Sequence, residues 1–258
     1  MRINQGKVTH FFVLSLFINL TAMLHDLELG KVLFLDIETV PASADFDKLP
    51  DNFKRLWEKK SEQLRRFDPE QTPDQLYSRA GIYAEFGKIV CVSCGFENGK
   101  EFRLKSFYGD DEKIMLVEFV EMLNKHYNSQ RHLLCAHNGK EFDFPFLARR
   151  MLVNGISIPK ILNLAGKKPW EIRHLDTMEL WKFGDYKHYT SLELLTAIFD
   201  IPTPKDDIDG SQVGHVYWVE KDLERIVTYC QKDVLTVAQL MRRYLGMPLI
   251  KDTDVFVL

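Results

Sequence analysis

The stretch that most restricts how this chain can fold is "VLFLDIETVP", residues 32–41. The apolar run Val32–Leu35 reads as a buried strand. It nevertheless leads straight into Asp36 and Glu38. Residues i and i+2 of a strand face the same way, about 7 Å apart. The two carboxylates therefore converge on one side while Ile37 turns to the other. Like charges so close raise each other's pKa unless something positive lies between them. A divalent cation such as Mg²⁺, which takes carboxylate oxygens, meets that need. The plainer alternative is that Asp36 caps the next turn and Glu38 is solvated.

Two further acids bear on the choice. "AHNGKEFDFPFL" ends a short apolar strand and sets Asp143 among Asn138, Phe142, Phe144, Pro145 and Phe146. Asp143 precedes a helix with Pro145 in its first turn, so an N-cap role is also open to it. In "RIVTYCQKDVLTV", Tyr229 and Asp233 are four apart on a helix and share one face, about 6 Å along its axis. Asp233 lies beside the apolar stripe Leu223, Ile226, Val227, Cys230, Val234 and Val237, which allows it to reach inward; as an isolated helical acid it would be exposed next to Lys232. Asp176, in "HLDTMELW", is read as structural.

The rest of the chain alternates between strand and helix signals. After the first strand comes a polar helical insertion at about 48–80, then two β-rich runs joined through Asn98-Gly99, a hairpin signal. "DDEKIMLVEFVEMLNKHY" follows as a helix with Ile114, Val117, Phe119, Val120 and Leu123 at helical spacing. A strand ending at Asn138-Gly139 and several helices complete the order, which is that of an α/β domain around a mixed sheet. With 258 residues and no Pro/Gly/Ser-rich linker or repeat, one domain over 29–247 is expected, followed by a tail at 248–258. Residues 1–28 form an extension of open status. The apolar stretch 11–24 is too short to span a bilayer, which takes about 20 apolar residues. Read-through ahead of Met23, a packed helix and a targeting segment all remain open for it.

At this point the spacing resembles a known family. Asp36-x-Glu38, then Asn138…Phe142-Asp143-x-Pro145-Phe146-Leu147, then Tyr229-x-x-x-Asp233 are similar to the three motifs of the DEDD exonuclease superfamily. "LDIET" and "NGKEFDFPFL" resemble the 3′–5′ exonuclease domain of B-family DNA polymerases and stand-alone bacterial proteins of that type; the likeness runs from about residue 31 to 246. Thr228 stands where the histidine branch has its base, and Tyr229 where the tyrosine branch has its phenol. The resemblance implies a ribonuclease-H-like, five-stranded mixed sheet flanked by helices. It also implies two Mg²⁺ (or Mn²⁺) ions on Asp36, Glu38, Asp143 and Asp233. Asp36 would bridge both, Glu38 and Asp233 would complete one ion's ligands, and Asp143 would serve the other. Tyr229, with an ordinary phenolic pKa near 10, would orient water rather than act as a base.

The activity so implied is hydrolysis at the 3′ end of single-stranded nucleic acid, DNA ahead of RNA, with Asn138, Phe144 and Thr39 as candidates to hold the strand. The basic run Lys54–Arg66 is a further candidate for phosphates, against a plain solvated face. A net charge of −3 offers no global attraction for a polyanion, so local patches or metal must hold it. No polymerase domain is visible, so a free-standing nuclease in repair or turnover is expected, with a separate polymerase or repair factor open as a partner and no membrane role. Four cysteines in apolar surroundings point to reduced core thiols in a cytoplasmic protein. The Asp-x-Asp phosphatase signature is excluded, because the second acid here is Glu38. The main rival is a silent nucleic-acid-binding or proofreading-partner module on the same fold.

Overall fold

The computed structural model describes residues 27–66, 69–185, 189–202 and 208–258. The apolar stretch at 11–24, and with it the status of residues 1–22, lies outside the described residues. Strand β1 (Val32–Pro41) leads through helix α1 (Asp51–Leu64) to the hairpin β2 (Gly87–Asn98) and β3 (Glu101–Tyr108). Helix α2 (Glu112–His126), β4 (Leu133–Ala136), α3 (Asp143–Val153), β5 (Leu175–Asp176), α4 (Thr177–Lys182), α5 (Leu192–Ile198), α6 (Leu223–Tyr244) and β6 (Val255–Val257) follow. The strands form one sheet in the order β5-β4-β1-β2-β3-β6, with β2 alone running against the others.

This is the mixed, helix-flanked α/β sheet expected, with one correction: it has six strands rather than five. The sixth comes from residues 248–258, which were expected as a tail. Val255 pairs with Phe102, and Ile250 exchanges two 2.8 Å hydrogen bonds with the Gln239 side chain on α6.

β1 is central and apolar on both faces, which is why its sequence lacks polar alternation before Asp36. Leu33, Leu35 and Ile37 pack on α2 and α3. Val32 and Phe34 pack on α6 through Val234, Val237 and Met241. Asp111 and Asp222 cap α2 and α6 by accepting from Ile114 N and Arg225 N at 3.1 Å. Gly246, at φ 65°, closes α6. In α2 the expected face is rotated. Ile114 and Val117 are exposed, and Met115 and Leu116 take the core positions. The hairpin turn centres on Gly99-Lys100, with Gly99 at φ 66° and Asn98 still paired to Glu101.

The polar insertion is not a bare surface helix. Trp57 of α1 is fully buried, donates to Pro73 O at 2.7 Å and meets Tyr77 and Phe86 edge-on, forming a small separate core.

Cys91 and Cys94 are three apart in β2 and fall on opposite faces, in different core clusters. The four thiols are free and buried. Among the described residues, no helix is long and apolar enough to cross a membrane.

Candidate active site

β1 and β4 are paired side by side only as far as Phe34 and Cys135. Beyond that point β1 continues against β2 alone, while the chain leaving β4 turns off at Asn138-Gly139. The parting lies at the carboxyl end of β4, and α/β sheets hold their ligands at the carboxyl ends of their strands. Asp36 and Glu38 stand on that rim, opposite Ser93 and Cys91 of β2. A register shift follows at once, between Glu38 and Thr39. Such bulges re-aim side chains beside functional sites.

The structure brings the sequence-predicted acids to this rim. Glu38 and Asp143 are buried, and Asp36 and Asp233 partly so. Asp143 is not the cap of its helix. It is the first residue of α3, and its Oδ1 accepts from Ile37 N of β1 at 3.2 Å. That bond ties α3 to the central strand. Burial raises the Asp36 carboxyl well above its ordinary range, and Glu38, Asp143 and Asp233 raise it further. Glu38 is raised likewise, by burial and then by Asp233, Cys91 and Asp143. Asp143 is pushed up to about 7 by burial, with Asp176 and Asp233 adding to it against hydrogen bonds from backbone amides. The charges acting most strongly on these acids are other carboxylates, so the donor set is one that a cation would complete.

Tyr229 is hydrogen-bonded to Asp233, and burial and three carboxylates push its phenol far above the usual value. It stays protonated at neutral pH and offers a donor, not a base.

One near neighbour escaped the sequence reading. Cys230 Sγ donates to Asp36 Oδ2 at 3.3 Å, and the donor atoms of Asp36, Glu38 and Cys230 all lie within 4.8 Å of one another. The available signal was its place three residues before Asp233, on the same helix face.

The substrate candidates fare differently. Asn138 adopts the left-handed region at φ 62°, and its Oδ1 is buried without a partner among the described residues. Gly139 is forced by space, since a Cβ there would lie 2.4 Å from the Ala136 Cβ. Thr39 is partly exposed, just past the bulge. Phe144, expected as a stacking wall, is fully buried in the core against His174. Its ring cannot meet a base. Tyr189, which was not singled out, is 69% exposed; its phenol is raised by burial and then by Asp143 and Asp176, which puts it beside the rim. Asp176 does structural work, accepting from Asn138 N and Lys140 N at 3.0 and 3.1 Å and capping α4.

The shifted carboxyls make a stability prediction. Their folded-state pKa values lie above the unfolded values near 4, so the folded chain holds extra protons in between. For Asp143 the contribution to stability is fully present below about pH 4 and is lost as pH rises through about 7. Asp143→Asn removes this liability while keeping an acceptor for Ile37 N. In chelator its advantage in Tm over the native chain is expected to grow from about pH 5 to pH 8, reaching about 2 kcal/mol or roughly 5 °C. A gap that does not change with pH would refute the charge cluster.

A family model described as "Predicted 3'-5' exonuclease related to the exonuclease domain of PolB" matches residues 82–252. The match covers Asp143, Tyr229 and Asp233 and begins after Asp36 and Glu38. The chain is similar to a DNA polymerase of Pyrococcus glycovorans, at 22% identity over 194 residues, 67% of this chain and 24% of that protein. Its fold is similar to the family B DNA polymerase of the hyperthermophilic archaeon Pyrobaculum calidifontis, with a TM-score of 0.50 and 13% identity, over 83% of this chain and 24% of that one. The chain thus spans about a quarter of the length of each of these polymerases.

Proposed function

The chain belongs to the family of predicted 3′–5′ exonucleases related to the exonuclease domain of PolB, and from that premise we propose that it removes nucleotides from the 3′ end of single-stranded nucleic acid, DNA ahead of RNA, with two divalent cations. The observation that carries the reading is the convergence of Asp36, Glu38, Asp143 and Asp233, each raising the proton affinity of others, beside a phenol held in its donor form.

Asp36, Glu38, Asp143 and Asp233 would hold two Mg²⁺ or Mn²⁺ ions, and the all-carboxylate character of the set suits such hard cations. When bound, the pair supplies acidification of an attacking water and charge stabilisation at the leaving 3′-oxygen. Asp36, which feels the other three acids, is the residue best placed to serve both ions. Tyr229 orients the reacting water by donating a hydrogen bond. The unpartnered Asn138 Oδ1 accepts from the terminal nucleotide, and Thr39 lines the path past the bulge. Tyr189 takes the stacking role that Phe144 cannot, since aromatic faces hold single strands without sequence preference. The basic face of α1 contacts phosphates farther along the strand. A separate polymerase or repair factor would deliver the 3′ end, and the free cysteines suit a cytoplasmic setting.

The test is a 5′-labelled single strand incubated with purified protein and Mg²⁺ or Mn²⁺. A ladder shortening from the 3′ end is expected, with a circular single strand left intact. Unchanged linear substrate in both metals would instead favour a binding module without catalysis.

A further inference from the structure

Beside the carboxylates, α6 carries a donor of different chemistry. Cys230 Sγ lies 3.3 Å from Asp36 Oδ2, and these two atoms and a Glu38 oxygen are all within 4.8 Å of one another. Zinc binds thiolate sulfur at about 2.3 Å and carboxylate oxygen at about 2.0–2.2 Å in a tetrahedron, which sets neighbouring donors about 3.5 Å apart. The sulfur–oxygen separation here already has that size, and the Glu38 oxygen lies within 4.8 Å of both other donors, near enough for a side-chain adjustment to close the set. Two donors stand on the central strand and the third on a helix packed across it, so the trio rests on rigid elements. Three protein donors leave a fourth position for water or a phosphate oxygen. Magnesium gains nothing from sulfur, because it demands oxygen ligands in octahedral geometry. Thiolate donors select softer ions, and affinity for mixed sites rises from Mn²⁺ towards Co²⁺ and Zn²⁺.

We propose that Asp36, Glu38 and Cys230 form a site for one thiophilic divalent cation, with Zn²⁺ the best fit and Co²⁺ and Cd²⁺ its analogues. The inference rests on reading Asp36 and Glu38 as metal ligands, but not on hydrolysis. As the sulfur–metal bond forms, the Cys230 proton leaves to solvent.

The experiment is a Co²⁺ titration of the reduced, metal-free full chain. A thiolate-to-cobalt charge-transfer band is expected to rise to one equivalent. Stoichiometric Zn²⁺ should erase it, and a roughly hundredfold excess of Mg²⁺ should not. Cys230→Ser and Cys230→Ala are each expected to lose the band, and Cys135→Ser, in another core cluster, to keep it. X-ray absorption of the zinc-loaded native chain needs no variant and should show one sulfur at about 2.3 Å among oxygens. A zinc shell without sulfur, or a band that survives both Cys230 substitutions, overturns the proposal. Sulfur-ligated zinc on a chain that cleaves nothing would sink the nuclease reading alone. Magnesium-dependent cleavage without any sulfur–metal bond would do the opposite.

Discussion

Asp36→Asn is expected to cut 3′-end hydrolysis ~10²–10³-fold, the scale on which removal of one charge-stabilising group slows an enzyme. The substitution keeps the shape of the side chain and an oxygen facing Cys230, but it removes the charge that the other three acids act upon. The same change should make the metal-free protein more stable, because a partly buried carboxylate surrounded by carboxylates is costly to ionise. Loss of activity with a gain in Tm, measured on one preparation, separates a metal ligand from a structural residue. An active Asp36→Asn enzyme would rule out the proposed ligand set.

Arg150→Ala is expected to destabilise the fold by about 3–5 kcal/mol, the cost of leaving a buried charge unpaired. Arg150 grips Glu112 through Nε and Nη2 at 2.9 and 2.6 Å and donates from Nη1 to Ala84 O at 2.8 Å. Glu112 also accepts from Ile89 N at 2.8 Å and from the Asn154 side chain at 2.9 Å. Ile89 stands opposite Thr39 across the bulge, and Arg150 belongs to the helix that begins with Asp143. The pair therefore holds the two halves of the acidic rim in register. Urea unfolding should show the loss, and the double replacement Arg150→Met with Glu112→Leu should recover only part of it, since an apolar pair removes the lone buried charge but leaves Ile89 N and Ala84 O without partners. A single-substitution loss below about 1 kcal/mol would mark the pair as dispensable.

What could be read from the chain alone follows from how local each signal is. Strand alternation is binary, so Asp36 and Glu38 could only share a face. Four-residue spacing on a helix joined Tyr229 to Asp233 with similar force. The phase of α2 was harder, because Met115 and Leu116 adjoin Ile114 and Val117 in one apolar run and any of them fits a helical stripe. Tertiary packing turns Phe144 of α3 inward and leaves Tyr189 exposed, and no local pattern records that. Cys230 looked like one more apolar member of its stripe, and its contact with Asp36 spans 194 positions of chain. β6 is three residues long, too brief for alternation to register.

The sheet's outermost strands carry a colloidal consequence. β5 and β6 have two and three residues, so neither flank offers a long row of open amide and carbonyl groups. A second molecule has little template on which to extend the sheet. With β1 and β2 inside the sheet, between β4 and β3, the most apolar strands of the domain are kept away from stray β-partners in a crowded solution.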